Sequence, residues 1–395
     1  MIKTLNKFDL KNKRILIRVD FNVPLNHGRV TDDFRIRSAL PTIDHCLNQG
    51  AGVVLMSHLG RPKGKVDKNL SLIPVGESLA DLLEMPIKFS DDCVSEDARD
   101  TSLGISNGEV HLLENLRFYE EETANDLHFS MLLSKHGDVF INDAFGTAHR
   151  AHASNVGIVS HFKQKGMGLL MEKEYRFLKG SFDHPNRPVT LILGGAKIDT
   201  KLSLINRFLN KADTILIGGG MAFTFLKAKG KEVGNSLVDD GMIESARQII
   251  QSSKESNVKV VLPLDFACAK NIDGKSEGVF SNRNIPSDMM GLDIGPKTIS
   301  IFKQYIDQSN TILWNGPMGV FENEDFATGS KELAAKLAEV TEKGAITIVG
   351  GGDTAAAIRT FRFQNDVSHV STGGGASLEL LSGEFLPAFK ALELT

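Results

Sequence analysis

The chain repeats one local pattern: a continuous apolar run of strand length stops at a glycine-rich or basic turn, and a helical stretch follows. In the first half the runs are RILIRVDF (14–21), GVVLMSH (52–58), EVHLLENL (109–116) and VFINDAF (139–145). In the second half they are VTLILGG (189–195), TILIGGG (214–220), KVVLPLDF (259–266), TILWNGP (311–317), AITIVGGG (345–352) and SHVSTGGG (368–375). Strands that are apolar on both faces and alternate with helices predict parallel sheets covered on each side. The expected class is α/β, doubly wound and Rossmann-like. At 395 residues the chain exceeds what one core supports, so two such domains are expected. The amphipathic stretch 167–188 lies between the two sets of runs and reads as a hinge helix, with domains over 1–167 and 182–384 and a linker over 168–181.

Composition narrows the function. The chain is 41% hydrophobic and 24% charged with a formal net charge of −4, which argues against a nucleic-acid binder that works by general phosphate neutralisation. It has no apolar run of membrane-spanning length, and its basic N-terminus is not followed by an apolar signal segment, so cytoplasmic residence is expected. Cys46, Cys93 and Cys268 are far apart and lack metal or redox spacing; they read as buried thiols.

In open α/β sheets, ligands bind where strands hand over to their loops. Four handovers in the second half are glycine-rich: LGGAKIDTK (193–201), IGGGMAF (217–223), VGGGDT (349–354) and STGGGASLELL (371–381). Any one of them is an ordinary tight turn, but on neighbouring strands they would line one crevice. Lys197 and Lys201, four residues apart, would share a face at a helix start and point at a phosphate. Asp353 among the glycines Gly350–Gly352 would repel that phosphate unless a metal lies between them. A nucleotide carried with Mg²⁺ resolves the conflict, and a plain helix N-cap is the alternative. Thr354 could bond a phosphate oxygen, and Glu322, after the turn formed by Gly316, Pro317 and Gly319, could accept from ribose hydroxyls.

The first half collects cations at the same kind of edge: His58, Arg61, Arg117, His149 and Arg150 just beyond strands, and Arg35 opening the first helix. Such a cluster suits bidentate recognition of phosphate or carboxylate. Asp20 and Asn22 add acceptors for a substrate hydroxyl. The spacing of His149 and His152 could ligate a metal, but Arg150 stands between them and anion binding is the preferred reading. There is no P-loop, and the protein-kinase loops are absent. GGGDTA (350–355) does match G-x-G-x-x-A, which keeps a nicotinamide-dependent dehydrogenase open beside a non-catalytic nucleotide-binding module.

A basic anion pocket and a metal–nucleotide site together describe a kinase for a small phosphorylated acid. The ordered motifs RVDFNVP (18–24), SHLGRP (57–62), ENLRF (114–118), GTAHRAH (146–152), GGAK (194–197), WNGPMGVFE (314–322), GGGDT (350–354) and STGGGASLELL (371–381) resemble those of the phosphoglycerate kinase family. The resemblance implies reversible phosphoryl transfer from 1,3-bisphosphoglycerate to MgADP, with hinge-bending closure of two domains. It implies a monomer whose segment 385–395 packs back on the first domain. By motif, Asp20, Phe21, Asn22, Arg35, His58, Leu59, Gly60, Arg61, Arg117 and Arg150 would hold the phosphoglycerate. Gly195, Ala196, Lys197, Lys201, Gly219, Asn315, Glu322, Gly350, Gly351, Gly352, Asp353 and Thr354 would serve the nucleotide, with Asp353 at Mg²⁺. Arg35, Lys197, Gly352 and Gly375 would act on the transferring group, and Gly373–Gly375 would offer backbone N–H groups. No general base is required, because a carboxylate with a solution pKa of roughly 3.5 is already ionised near neutrality.

Overall fold

The computed structural model of the chain describes residues 2–393. Residues 394 and 395 of the C-terminal segment, and Met1, lie outside the described residues. These form two compact units: one runs up to Tyr175 and takes in the chain again from Phe385, and the other is Arg176–Glu384.

The first unit holds β1 (Arg14–Arg18), a short hairpin of β2 (Leu25–Asn26) and β3 (Arg29–Val30), then β4 (Gly52–Met56), β5 (Ile87–Ser90), β6 (Val110–Leu113), β7 (Val139–Asn142) and β8 (Lys165–Met167). Six of these form a sheet of order β5-β6-β4-β1-β7-β8, parallel throughout. Its central strands are buried along their length, as continuous aliphatic runs between two helical layers must be. β1 pairs with β4 on one side and β7 on the other, so the winding direction reverses there. The loops after β1, β4 and β7 therefore converge at one crevice.

The second unit repeats the plan. β9 (Val189–Leu193), β10 (Thr214–Ile217), β11 (Lys259–Val261), β15 (Thr311–Asn315), β16 (Ile346–Gly350) and β17 (His369–Val370) form a parallel sheet of order β11-β10-β9-β15-β16-β17, which reverses at β9. The run KVVLPLDF, read as one strand, is two. Pro263 has no N–H to give a ladder, and beyond it β12 (Asp265–Ala269) leaves the parallel sheet. With β13 (Gly278–Ser281) and β14 (Met290–Ile294) it makes a small antiparallel sheet of order β13-β12-β14.

The expected hinge helix is not uniform. An α-helix covers Leu169–Tyr175, the wider π winding covers Arg176–Gly180, and a final turn covers Ser181–Asp183. The change of winding falls where the two units divide. On the first side, the buried carboxyl of Asp143 accepts from the Met171 N–H at 3.0 Å. Burial pushes its pKa up to about 7. The C-terminal helix Pro387–Glu393 buries Phe389 against Tyr175 and Phe145, with ring centroids 5.0 and 6.3 Å apart, and Ala388 N–H donates to the Ala148 carbonyl at 3.1 Å. It thereby braces the turn that carries His149 and Arg150.

Away from the crevice, a chain of hydrogen bonds ties β5 and β6 to the flanking helices. His136 donates to the Cys93 carbonyl, so its Nδ1 accepts from the Ser102 hydroxyl at 2.7 Å. The Ser102 oxygen then accepts from His111 Nδ1–H at 2.9 Å, and His111 Nε2 accepts from Ser90 at 2.8 Å. The Ser102–His136 link requires a neutral His136 ring, and burial holds both pKa values down to about 4. The unfolded chain takes up these protons first, so stability is full above pH 6.5 and is lost as pH falls from 6.5 to 4. His136→Gln should reduce the pH slope of stability in that window by about one proton relative to the native chain. Urea midpoints between pH 4 and 7 check this, and equal slopes would mean that His136 already protonates in the folded state.

Candidate functional site

In the first unit the loops after β1, β4, β6 and β7 bring most of the expected cations together. Asp20 Oδ2 accepts from Arg35 Nη1 at 2.5 Å, and Asn22 Oδ1 accepts from Gly60 N–H at 2.9 Å. Gly146 must lack a side chain, since a Cβ there would lie 2.1 Å from Asp20 Oδ2. His58 is buried, and its Nδ1 accepts from Arg18 Nη2 at 3.2 Å. Burial and the charges of Arg18, Arg117 and Arg35 drive its pKa well below 6.5, so the ring is neutral and carries its proton on Nε2.

Arg117 is the unusual group. It is only 6% exposed, and Nη1 donates to the Gly60 carbonyl at 2.8 Å, yet its Nε and Nη2 are buried with no partner. Burial, with Arg18 and Arg150 nearby, pulls its pKa down to about 10. It lines a cavity of about 530 Å³ together with Arg61, Lys63, Tyr119, Arg150 and His152. Buried donors are paired almost without exception, so this cavity has the chemistry of an anion site.

Other expected residues lie outside this cavity. Asp20, Asn22, Arg35 and His58 do not line that cavity; they are tied to its edge through Gly60 and Arg18. Phe21 and Leu59 belong to the hydrophobic core, and the Phe21 N–H is donated to Ser57. His149 accepts from Arg150, His152 faces Glu122, and no metal-holding group of three His, Cys, Asp or Glu residues occurs among the described residues. Sequence reading missed Arg18, Lys63 and Tyr119. Lys63 was visible as the second of three cations in GRPKGK (60–65), but nothing in the sequence marks Arg18 as fully buried behind His58.

In the second unit a cavity of about 560 Å³ is lined by Gly195, Ala196, Gly219, Gly220, Pro317, Gly319, Val320, Glu322 and Asp353, with an apolar wall of Phe223, Phe266, Met290 and Leu292. The turns that frame it touch backbone to backbone. Gly195 N–H donates to the Pro317 carbonyl at 2.8 Å and Gly219 N–H to Met318 at 3.1 Å. Gly219 has φ +59°, and a Cβ there would lie 2.4 Å from the Gly195 nitrogen. Glycine at 219 permits these strand ends to close up on one another.

Lys201 is buried beside Gly195, where burial lowers its pKa although Asp353 and Asp199 pull it up. Lys197 is exposed in the turn before the short 3₁₀ segment Asp199–Lys201, so the two lysines do not share a helical face as expected. Asn315 ends β15 with its Nδ2 buried and unpartnered, next to Gly351. The N-cap of helix Gly352–Thr360 is Gly351, at φ +91°, which leaves the exposed carboxylate of Asp353 free of the plain capping role. Thr354 is buried, and its hydroxyl oxygen accepts from Gly316 N–H at 2.6 Å, fixing the turn. Gly375 opens the helix Gly375–Ser382 but does not line the cavity. Asp293, at the cavity floor, was missed by sequence reading. It accepts from Gly329 and Ile294 N–H groups, and burial raises its pKa to about 7.

A family model described as phosphoglycerate kinase matches residues 5–384. The chain is 48% identical over 391 residues to the phosphoglycerate kinase of Chloroherpeton thalassium, covering 99% of this chain and 98% of that one. It is also 48% identical to that of Thermosipho africanus, covering 98% and 97%. Two solved structures superimpose on it: phosphoglycerate kinase from Coxiella burnetii, with a TM-score of 0.88 at 38% identity, and that from Pyrococcus horikoshii, with a TM-score of 0.84 at 32% identity. Each covers 100% of this chain and 98% of its own.

The unpartnered guanidinium gives a test. Arg117→Met removes a desolvated charge among like charges, so the ligand-free variant should unfold at an unchanged or higher temperature. Stabilisation by added inorganic phosphate should be lost. Thermal melts with and without phosphate measure both, and a variant still stabilised as strongly as the native chain would remove Arg117 from the anion site.

Proposed function

The chain belongs to the phosphoglycerate kinase family, and from that premise we propose how its two cavities divide the reversible phosphoryl transfer between 1,3-bisphosphoglycerate and ADP. The cavity of Arg61, Arg117 and Arg150 takes the phosphoglycerate anion. The observation that carries this reading is the pair of buried, unpartnered donors on Arg117, which a phosphate oxygen would satisfy. Arg35, held by Asp20, faces the transferring group at the edge of that cavity. The glycine-framed cavity of the second unit takes the nucleotide, with the base against the Phe223 and Leu292 wall, the ribose at Glu322, and the phosphates toward Gly350–Gly352, Asn315, Lys197 and Lys201. Gly373–Gly375 supply backbone N–H groups at a helix start.

The residues present suit Mg²⁺. This small, hard cation is bound through one or two carboxylates, with phosphate oxygens and water completing its shell. Asp353, exposed in the cavity wall, is the carboxylate that would hold it. When bound, Mg²⁺ neutralises charge on the nucleotide phosphates.

In the ATP-consuming direction a carboxylate oxygen of 3-phosphoglycerate bonds to the γ-phosphorus as the bond to the β,γ-bridging oxygen breaks, and ADP leaves. The attacking oxygen carries no proton, so the work is alignment and charge neutralisation by Arg35, Lys197 and the glycine N–H groups. In-line transfer needs the reacting atoms within about 3 to 3.5 Å, so the two units are expected to close once both substrates are bound. Closed solvent-excluding states also protect the acyl phosphate from hydrolysis. We further read the working form as a single cytoplasmic chain. Each cavity is built within one chain, the three cysteines are free and buried, and no helix among the described residues is long and apolar enough to cross a membrane.

A coupled assay of ATP formation from the acyl phosphate tests the assignment, and binding of MgADP without turnover would overturn it. Lys197→Ala should lower kcat by about 10³-fold or more while changing substrate affinities little, because its exposed charge serves the group in flight. Near-normal kcat would remove Lys197 from that role. Small-angle scattering should show its largest drop in radius of gyration only when nucleotide and 3-phosphoglycerate are both present. The same compactness in all states would rule out closure.

A further inference from the structure

Behind the anion cavity lies a carboxylate that neither the motifs nor the reaction assigns. The short helix Glu120–Ala124 turns Glu120, Thr123 and Ala124 toward the cavity, but Glu122 points inward and is fully buried. Its Oε2 accepts from Ser154 N–H at 3.0 Å, and its Oε1 accepts from the Ser154 hydroxyl at 2.6 Å. The same hydroxyl oxygen accepts from Arg18 Nε at 2.8 Å, so Ser154 bridges carboxylate and guanidinium. Oε1 lies 3.9 Å from Arg18 Nη2 and 3.6 Å from His152 Nδ1. Arg18 in turn donates to the Val19 carbonyl and to His58 Nδ1. Burial alone would raise the Glu122 pKa, yet His152, Arg18 and Ser154 hold it below the usual carboxylate range.

The crowding explains why a buried anion is needed. Arg18 and Arg150 each repel Arg117, and Arg117 and His58 both feel Arg18. Asp20 is engaged by Arg35, and Glu122 acts on Arg18 more strongly than Asp20 does. Without that carboxylate, Arg18 would have every reason to leave His58 and seek solvent or the cavity itself. His58 would then lose the donor that fixes its proton on Nε2.

We propose that Glu122 is a positioning residue for phosphoglycerate recognition. Through Ser154 and Arg18 it sets the tautomer and orientation of His58. This rests on the reading that the cavity binds phosphoglycerate. Glu122 touches no substrate; it keeps the cations at a spacing that only a bound anion completes.

Glu122→Gln preserves shape and removes the charge. In the full-length enzyme it should raise KM for 3-phosphoglycerate by about tenfold or more, with the nucleotide KM within about twofold of native and kcat reduced less than KM is raised. The ¹⁵N resonances of the His58 ring should move from the single Nε2–H tautomer toward a mixture, which a loss of general stability would not produce. Ser154→Ala, which keeps the charge but breaks the bridge, should shift the same KM in the same direction by a smaller factor, and it carries the test if Glu122→Gln does not fold. Equal rises in both KM values, or a phosphoglycerate KM within twofold of native in whichever variant folds, would overturn the proposal. A native enzyme whose rate does not saturate with 3-phosphoglycerate would instead overturn the reading of the cavity.

Discussion

The first unit is organised around positive charge that the protein does not itself neutralise. Arg61, Arg117 and Arg150 gather at one cavity, and the acceptors that the chain supplies leave two donors of Arg117 buried and unpaired. Such groups are expensive to bury, and a fold keeps them only when a ligand completes them. The surrounding structure reads as the means of holding that state. Gly146 makes room for the Asp20–Arg35 pair, Gly60 offers its carbonyl to Arg117, and the C-terminal helix braces the turn before Arg150.

The second unit meets the opposite demand. Its cavity is framed by backbone more than by cations, which suits the phosphates of the nucleotide proposed for it. The turns after β9, β10 and β15 give up side chains to approach one another, and glycines open the helices that follow β16 and β17. Lysines and one exposed carboxylate then adjust the charge locally. The two sites share one cause, because each sits where strand order reverses, at β1 in one sheet and β9 in the other.

The sequence made the architecture legible because continuous aliphatic runs and glycine turns are local signals. β1, β4, β9 and β15 could be read from composition alone. The short β5 and β8, with intermediate burial at several positions, carried too little pattern, and Pro263 cut one run into strands of different sheets. At the site, cations just after strands were found, since their position follows from topology. What stayed hidden depends on tertiary burial: Arg18 turned inward behind His58, Glu122 on the concealed side of a one-turn helix, and Asp293 beneath the apolar wall. Each is an ordinary charged residue in sequence and becomes informative only through what surrounds it. Phe21 and Leu59 lie within site motifs while their side chains fill the core.

The return of the chain to its starting unit has a consequence for the order of assembly. Phe389 and Leu392 are core residues of the first unit, but they are made after the whole of the second. During synthesis the first unit must wait, with an open seam beside Phe145 and Tyr175, while more than two hundred residues emerge and fold. The turn bearing Arg150 is the edge of that seam. Phe389 therefore packs beside the turn bearing Arg150 only after the second unit has been made.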